Sequence, residues 1–302
     1  MTPLLGALIA VTVGILGTST IHVSKGFMKM GYVADRRATS ASTSTQAEPE
    51  SSGGRKGAFV VGMLMNFTNP LWVIIANRFA PTVYYTSVYG VGVISLLVFS
   101  HCVLGERITR RRFLGAAVVA VATVLIGVGQ GMVADTAGGI SENLPVLLFA
   151  AAWLVAAPIV AAVVRGLGIS KQEIVFGALG GGLASLDAVI KGIAQSGPAG
   201  RSFLPTEPVA WLLFALSFLG AAGAFGMIQW SYVRQCRASM MGASYSVTYV
   251  ALPLLVGAGL GNSGGLSILQ VIGLLGLAGG MMLVSESAPH PAMKGAVKQA
   301  EP

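Results

Sequence analysis

Long apolar segments separated by short polar links make up most of the chain. A segment of about 20 mostly apolar residues is long enough for an α-helix to cross the roughly 30 Å hydrocarbon core of a bilayer. The sequence therefore predicts an all-α polytopic membrane protein with nine transmembrane helices. The nine segments lie at about 4–24, 58–78, 82–103, 113–133, 145–164, 174–194, 210–231, 240–260 and 266–284.

The composition excludes an ordinary water-soluble fold. Hydrophobic residues make up 54% of the chain and charged residues only 10%, against about 25% charged residues in a typical soluble domain. Glycine accounts for 41 of the 302 residues, about twice its usual share of ~7%. Small residues four apart allow helices to approach closely, and such pairs are Gly127/Gly131, Gly177/Gly181 and Gly276/Gly280.

The basic residues fall on one side of the predicted membrane. Of the 19 Lys and Arg residues, 15 lie in the links after segments one, three, five and seven or in the C-terminal tail, whereas the other links hold only Arg78 and Arg201. Cytoplasmic loops carry such an excess, so we expect the N-terminus outside and the C-terminus in the cytoplasm. The net charge of +8 thus reflects the basic residues of the cytoplasmic loops, which orient the chain in the membrane. No nucleic acid is expected as a partner. A plasma membrane, an endomembrane or a bacterial inner membrane would satisfy this topology.

Catalytic and cofactor motifs are not evident. Cys102 and Cys236 give neither a disulfide framework nor metal-ligand spacing, and no phosphate-binding loop or catalytic triad pattern is present. We therefore expect no enzymatic activity and no bound cofactor.

Two parts of the chain have similar patterns, which indicates an internal repeat. The stretches that begin at Asn77 and Tyr232 each run from a polar link into a segment with Ser and Tyr near its start. They leave it at Leu104-Gly105-Glu106 and Leu260-Gly261-Asn262 and end in a Gly-rich segment. The offset is five segments, an odd number, so the copies have opposite orientation. Inverted repeats are typical of secondary transporters that work by alternating access.

The repeat suggests a division of the chain. Residues 1–134 form a first repeat of four helices and residues 135–285 a second repeat of five. The polar, low-complexity stretch 38–54 predicts a disordered cytoplasmic loop at about 32–56, either a plain linker or a regulatory segment. Residues 286–302 are expected to be a flexible tail.

Several stretches resemble the drug/metabolite transporter superfamily. They are NRFAP, LGERITRRRFLGA, GILGTSTIHVSKGFMKMG, LGGGLASLDAVIKGIAQ and IQWSYVRQCRASMMGASYSVTYVALP, and the similarity covers most of residues 4–284. That superfamily has ten helices in two inverted five-helix repeats, of which this chain would lack the first helix. Nine helices with the N-terminus outside are similar to the NIPA-type magnesium transporters, a branch that implies Mg²⁺ as the substrate.

Charged residues inside a membrane segment are costly and therefore indicate function. Asp187 is the only carboxylate well inside a predicted segment, and Lys191 lies one helical turn later on the same face. Three interpretations are open: a local ion pair, a substrate or coupling-ion site with Lys191 as counter-ion, or a Lys191 that extends to the membrane surface.

The second predicted segment carries amide side chains next to a proline. Asn66 and Asn69 precede Pro70, which removes a backbone donor and frees a carbonyl group one turn earlier. The corresponding seventh segment carries Gly220, Gly223 and Gly226. Interrupted helices at matching positions predict a binding site; a simple kink whose Asn side chains join helices is the alternative.

Tyrosine pairs occur at matching positions of the two repeats. Tyr85 and Tyr89 in the third segment and Tyr245 and Tyr249 in the eighth are each four residues apart, so each pair shares a helix face. They predict either interfacial aromatic belts or two aromatic walls around a central cavity for an organic or cationic solute.

These residues define the predicted site. For substrate binding we expect Asn66, Asn69, Tyr89, Asp187, Lys191, Gln229, Tyr245 and Tyr249. For gating we expect Glu106 and Lys25, and for a bound metal ion Asp187 and Asn66.

The sequence leaves two chemical classes of substrate as alternatives, Mg²⁺ and a small organic solute. Mg²⁺ prefers about six hard oxygen ligands with one or two carboxylates, whereas the segments offer one carboxylate and a lysine that competes for it. An aromatic-lined site favours a small organic metabolite or drug-like solute. A non-transporting membrane scaffold or receptor is the third alternative. The expected partners are the lipid bilayer, a small solute or ion, and a second copy of the chain in a homodimer.

Overall fold

A computed structural model describes residues 2–41, 52–104, 108–130, 140–197, 200–260 and 265–285. Apart from a hairpin of two-residue strands, β1 (Ser196–Gly197) and β2 (Gly200–Arg201), and one turn of 3₁₀-helix, its regular structure is α-helical. The helices are α1 (Pro3–Ala41), α2 (Ser52–Phe67), α3 (Asn69–Phe79), α4 (Thr82–Thr86), α5 (Val91–Cys102), α6 (Arg110–Gln130), α7 (Leu144–Val163), α8 (Ile169–Ala194), α9 (Pro208–Val233), α10 (Ala238–Leu260) and α11 (Ile268–Ser285).

The described helices confirm an integral, multi-pass, all-α membrane protein. Eight helical segments between Leu4 and Leu260 are long and apolar enough to cross a membrane, and they coincide with the first eight predicted segments. The ninth prediction corresponds to a shorter apolar helix, Ile268–Val284. Large aliphatic side chains such as Val155 and Ile159 of α7 face outward, as contact with lipid requires.

The second membrane segment is interrupted, as Pro70 predicts. Helix α2 ends at Phe67 and α3 begins at Asn69. At the break, the Thr68 hydroxyl donates to the Met65 carbonyl at 2.6 Å and accepts a hydrogen bond from Trp72 Nε1 at 3.0 Å. Thr68 therefore satisfies polar groups near the proline, which is how a broken helix is tolerated in a membrane.

The third membrane segment is also interrupted, which the sequence did not predict. Between α4 and α5 the backbone runs through turns in which the amides of Tyr89 and Gly92 bond three residues back. The Tyr89 carbonyl also accepts a hydrogen bond from the Thr18 hydroxyl at 2.9 Å. This turn sets the position of the Tyr89 side chain.

The expected interruption of the seventh segment is wrong. Helix α9 runs without a break for 26 residues, because glycine, unlike proline, keeps its backbone donor. Gly220 and Gly223 instead allow close contact with α8, where Leu183 and Asp187 lie against them.

Helices α1 and α8 each pack against several other helices. Helix α1 packs against α2, α3 and α5, and α8 packs against α9 and α10. Helices α6 and α11 pack along each other's length, and α7 lies on the outside against α8. Close packing follows the predicted glycines: Gly177 and Gly181 face the backbone of α10, and Gly280 meets Gly115 of α6.

The described parts of the predicted flexible loop are helical. Helix α1 continues to Ala41 and α2 begins at Ser52, so the described ends of the predicted loop 32–56 are helical rather than disordered. Residues 42–51 and the predicted tail 286–302 lie outside the described residues.

Candidate functional site: a buried tyrosine and lysine cluster

Three tyrosine rings from the two predicted repeats stack in the protein core. The Tyr89 ring lies on the Tyr249 ring with 3.8 Å between centroids and 19° between planes. Tyr245 flanks both, at 5.8 Å from Tyr89 and 6.1 Å from Tyr249. All three are buried, as is Tyr85, so the interpretation of these tyrosines as interfacial belts is wrong. We call Tyr89, Tyr245 and Tyr249 the tyrosine stack.

Lys25 of α1 packs against this stack. Its ammonium group lies 3.6 Å from the centroid of the Tyr245 ring and 5.5 Å from that of Tyr89, within the range of cation–π attraction. The side chain is fully buried, and Nζ has no hydrogen-bond partner in the described part of the chain. An uncompensated buried ammonium costs free energy, so this position favours an anionic partner.

His22 ties α1 to both neighbouring elements of the stack. Its Nε2 lies 2.8 Å from the Ser246 hydroxyl of α10, and its ring centroid lies 4.8 Å from that of Tyr89. Its Nδ1 lies 2.8 Å from the carbonyl of Thr18. His22 thus links helices of the two predicted repeats next to the Tyr89 ring.

Further side chains surround the cluster. The Tyr85 hydroxyl donates to Asn69 Oδ1 at 3.3 Å, which places Asn69 beside the α2–α3 break in contact with the third membrane segment. The Tyr232 hydroxyl donates to the Lys25 carbonyl at 3.0 Å. Gln229 donates to Met28 Sδ at 3.1 Å, while its Oε1 has no partner among the described residues.

Asp187 and Lys191 form a buried ion pair on α8. Lys191 Nζ donates to Asp187 Oδ1 and lies 4.0 Å from the centroid of the Phe218 ring. Both side chains are buried, so the extension of Lys191 to the membrane surface is wrong. The second oxygen, Asp187 Oδ2, has no hydrogen-bond partner within the described residues.

A cavity of about 170 Å³ adjoins Asp187 between α7, α8 and α9. Its walls are almost entirely aliphatic, and it is lined by neither Lys191 nor the tyrosine stack nor Asn66. Of the predicted binding residues only Asp187 lines this cavity, and its carboxylate is close enough to Tyr85, Tyr245 and Tyr249 to interact with them electrostatically.

The remaining predicted site residues lie apart from the tyrosine stack and from the cavity beside Asp187, or are not described. Asn66 is half-buried in the last turn of α2, and Glu106 lies outside the described residues. In the described ranges, no group of three or more His, Cys, Asp or Glu side chains could hold a metal ion. The roles given to Asn66, Glu106 and Lys25 stay predictions.

A charged contact joins the N-terminal parts of α8 and α10. Buried Glu173 accepts hydrogen bonds from the Arg237 backbone amide at 2.7 Å and from its guanidinium at 2.7 and 3.1 Å. Gln235, with φ of 63°, turns the chain between α9 and α10 just before it. Burial, together with the negative charge of Glu173, raises the pKa of the Cys236 thiol to about 12.

The sequence did not assign His22 or Tyr232 to the site, and it offered Tyr85 only as part of a possible aromatic wall. His22 stands three residues before Lys25 on α1, a spacing that puts both on one helix face, so this pair was detectable. Tyr232 was not, because it lies at the end of a predicted segment where an aromatic residue usually marks the membrane interface.

No protein-family model, curated protein or solved structure matches the chain. What the structure defines is the class, an integral multi-pass α-helical membrane protein. The resemblance to the drug/metabolite transporter superfamily stays an expectation from the sequence.

Proposed function

We propose that the protein is a secondary transporter of the drug/metabolite transporter type, and that its substrate is a small organic solute with an anionic group. The observation that carries this proposal is the unpartnered ammonium of Lys25 against tyrosine rings from both predicted repeats. Aromatic faces hold an apolar body, and the ammonium binds a carboxylate or a similar anion.

Packing between helices supports an inverted repeat. Under the five-segment offset, α1 corresponds to α8, the pair α2 and α3 to α9, the pair α4 and α5 to α10, and α6 to α11. The contacts of α1 with α2 and α3 then correspond to those of α8 with α9. Those of α1 with α5 correspond to those of α8 with α10, and α6 with α11 corresponds to itself. Only α7 lacks a counterpart, as expected if the first helix of a ten-helix fold is missing. With the charge bias, nine transmembrane segments and an external N-terminus belong to the same proposal.

Lysines at corresponding positions of α1 and α8 support a substrate with an anionic group. Lys25-Gly26 in α1 and Lys191-Gly192 in α8 are both buried near the ends of the membrane segments. Lys191 has Asp187 one turn earlier, whereas Lys25 has Ile21 at that position. The second repeat therefore neutralises its lysine internally, and the first leaves the positive charge for a solute.

Magnesium, which the family resemblance implies, fits the described side chains less well. Of the buried carboxylates that the structure describes, Asp187 is already paired with Lys191 and Glu173 with Arg237. The tyrosine stack adjoins an ammonium rather than additional oxygen ligands. A hard divalent cation needs several oxygens together. The geometry therefore favours the organic solute over Mg²⁺.

The test is uptake by proteoliposomes of purified protein. The panel contains ¹⁴C-labelled aromatic and aliphatic carboxylates, the amines of the same carbon skeletons, and Mg²⁺ followed by an entrapped fluorescent indicator. We expect uptake of a carboxylate and much less of its amine, and a loss of that uptake of at least tenfold in Lys25→Met. Tyr84→Phe is the matched control, because Tyr84 precedes Tyr85 but lies outside the stack.

A second pair of variants tests the charge argument itself. Ile21→Asp would give Lys25 the internal partner that Asp187 gives Lys191, and Ile21→Asn has the same shape without the charge. Carboxylate uptake should fall in the Asp variant and persist in the Asn variant. Mg²⁺ uptake that survives Lys25→Met, without carboxylate uptake, would overturn the organic substrate. Absence of uptake for the whole panel would favour the scaffold or receptor.

A further inference from the structure

Two exposed arginines meet at one end of the helix bundle. Arg165 lies in the turn of 3₁₀-helix that follows α7, and Arg234 caps the C-terminal end of α9. Nη2 of Arg234 donates to the Arg165 carbonyl at 2.7 Å, although the two residues stand 69 positions apart. Helix α8 begins at the same end, at Ile169. The fold therefore brings two positive charges together from different helices.

Neutral groups hold both arginines in place. The guanidinium of Arg165 lies over the Trp230 ring, with 4.3 Å from Cζ to the ring centroid, and donates no hydrogen bond within the described residues. Nε of Arg234 donates to Gln172 Oε1 at 3.2 Å. Gln172 is buried and donates in turn to the carbonyls of Arg165 and Leu167. Both guanidinium groups are thus positioned by an aromatic ring, an amide and carbonyls, none of which neutralises their charge.

The protein supplies no counter-charge for this pair from its described residues. Glu173, which follows Gln172 on α8, is already bonded to Arg237 through both carboxylate oxygens. Lys171, exposed in the first turn of α8, adds a further positive charge to this end of the bundle. Like charges at close range repel each other, so an anion that contacts both arginines stabilises the arrangement.

The surroundings indicate an anion that carries hydrocarbon chains. Val163, two residues before Arg165, is 75% exposed, and Val233, directly before Arg234, is 50% exposed. Tryptophan, which here is Trp230 under the Arg165 guanidinium, is typical of the level of the lipid headgroups. The planar fork of an arginine matches the oxygens of a phosphate group. A phospholipid therefore fits both the charged groups and the aliphatic side chains beside them.

We propose that Arg165 and Arg234 form a binding site for the headgroup of an anionic phospholipid, whose acyl chains lie along the exposed aliphatic side chains of α7 and α9. Both arginines belong to the basic links that are expected in the cytoplasm, and the cytoplasmic leaflet is the one with a negative surface potential. The site does not depend on the transport proposal, because the arginines are exposed at the end of the bundle, whereas Lys25 and the tyrosine stack are buried.

The test is native mass spectrometry of purified, delipidated protein in one detergent. The protein is titrated with dioleoylphosphatidylglycerol or dioleoylphosphatidylcholine, which have the same acyl chains and differ in headgroup charge. We expect the first phosphatidylglycerol to bind about 30-fold more tightly, since each arginine favours an anionic lipid about fivefold. Equal affinities would overturn the proposal. Displacement of the phosphatidylglycerol by excess inorganic phosphate would overturn it as well, because the site would then take a soluble anion.

Charge-removing variants locate the site. Arg165→Gln keeps the backbone carbonyl that binds Arg234, so it removes one charge with little effect on the fold. The preference for phosphatidylglycerol should fall about fivefold in this variant and vanish in Arg165→Gln/Arg234→Gln. Arg110→Gln/Arg111→Gln is the matched control, because these exposed arginines lie in the link after the third predicted segment, on the same expected side of the membrane. A preference that survives Arg165→Gln/Arg234→Gln, or that the control pair lowers equally, would contradict the assignment.

Discussion

The contact between α8 and α10 offers a test on two adjacent glycines. A methyl group on Gly181 would lie 2.9 Å from the carbonyl carbon and 3.0 Å from Cα of Tyr245, and both atoms belong to the backbone. A methyl group on Gly180 would meet its nearest neighbours, the Tyr245 ring and Met227 Cβ, at 3.3–3.4 Å. The same substitution should therefore be harmful at Gly181 and tolerated at Gly180.

The magnitudes come from two opposing terms. Replacing a helical glycine with alanine stabilises a helix by up to about 1 kcal/mol, and this gain applies to both positions. Inserting a methyl group where backbone cannot move costs about 1–3 kcal/mol, and this cost applies only to Gly181. Gly181→Ala should therefore be less stable than Gly180→Ala by about 2 kcal/mol, or about 30-fold in the folding equilibrium.

Thermal unfolding of both variants in one detergent measures this difference. A gap of 2 kcal/mol corresponds to about 3 °C in Tm for a chain of 302 residues. Because α10 carries Tyr245 and Tyr249, Gly181→Ala should also weaken carboxylate uptake, whereas Gly180→Ala should not. Equal Tm values for the two variants would refute the close approach of the backbones.

Two further predictions concern the buried ion pair and the cysteines. Lys191→Met alone leaves Asp187 as an uncompensated buried charge and should lower the free energy of unfolding by about 3–5 kcal/mol. Unfolding in detergent should show the double variant Asp187→Leu/Lys191→Met to be more stable than this single variant. The opposite order would contradict a buried pair. At pH 7.5 a maleimide should label exposed Cys102 and spare Cys236, because a thiol with a pKa of about 12 forms thiolate only in strongly alkaline solution. An impermeant maleimide should label Cys102 in inside-out vesicles only, and labelling in right-side-out vesicles would contradict the proposed orientation.

The membrane segments were predictable because the bilayer leaves few alternatives. Only helices satisfy every backbone group within one apolar segment, so apolar length alone located eight membrane-spanning segments to within about seven residues of their apolar limits. Helix α1 itself continues to Ala41. The break at Thr68 also followed from local covalent chemistry, since Pro70 lacks a donor. The break before Val91 did not, because it depends on the Thr18 hydroxyl and on the packing of Gly90 and Gly92 against neighbouring helices.

The candidate site was predictable in its residue types but not in its grouping. Spacing placed Tyr245 and Tyr249 on one face of a helix, and the structure adds Tyr89 to them. Which charged residue joins the tyrosines depends on how α1 crosses α10, and a single sequence does not record that crossing. Asp187 was the most conspicuous residue in the sequence, yet Lys25 is the one that contacts the stack.

The two buried lysines show why residue type alone could not assign these roles. In isolation each is a cation in an apolar segment, and each is equally a candidate for substrate binding. Their difference lies one turn away, in Asp187 for Lys191 and in Ile21 for Lys25. Lys191 is neutralised by its partner, whereas the ammonium of Lys25 has no hydrogen-bond partner among the described residues and is the one that our transport proposal assigns to an anion. Under the proposed repeat, one helix position, Ile21 in one half and Asp187 in the other, decides which lysine is left to bind an anion.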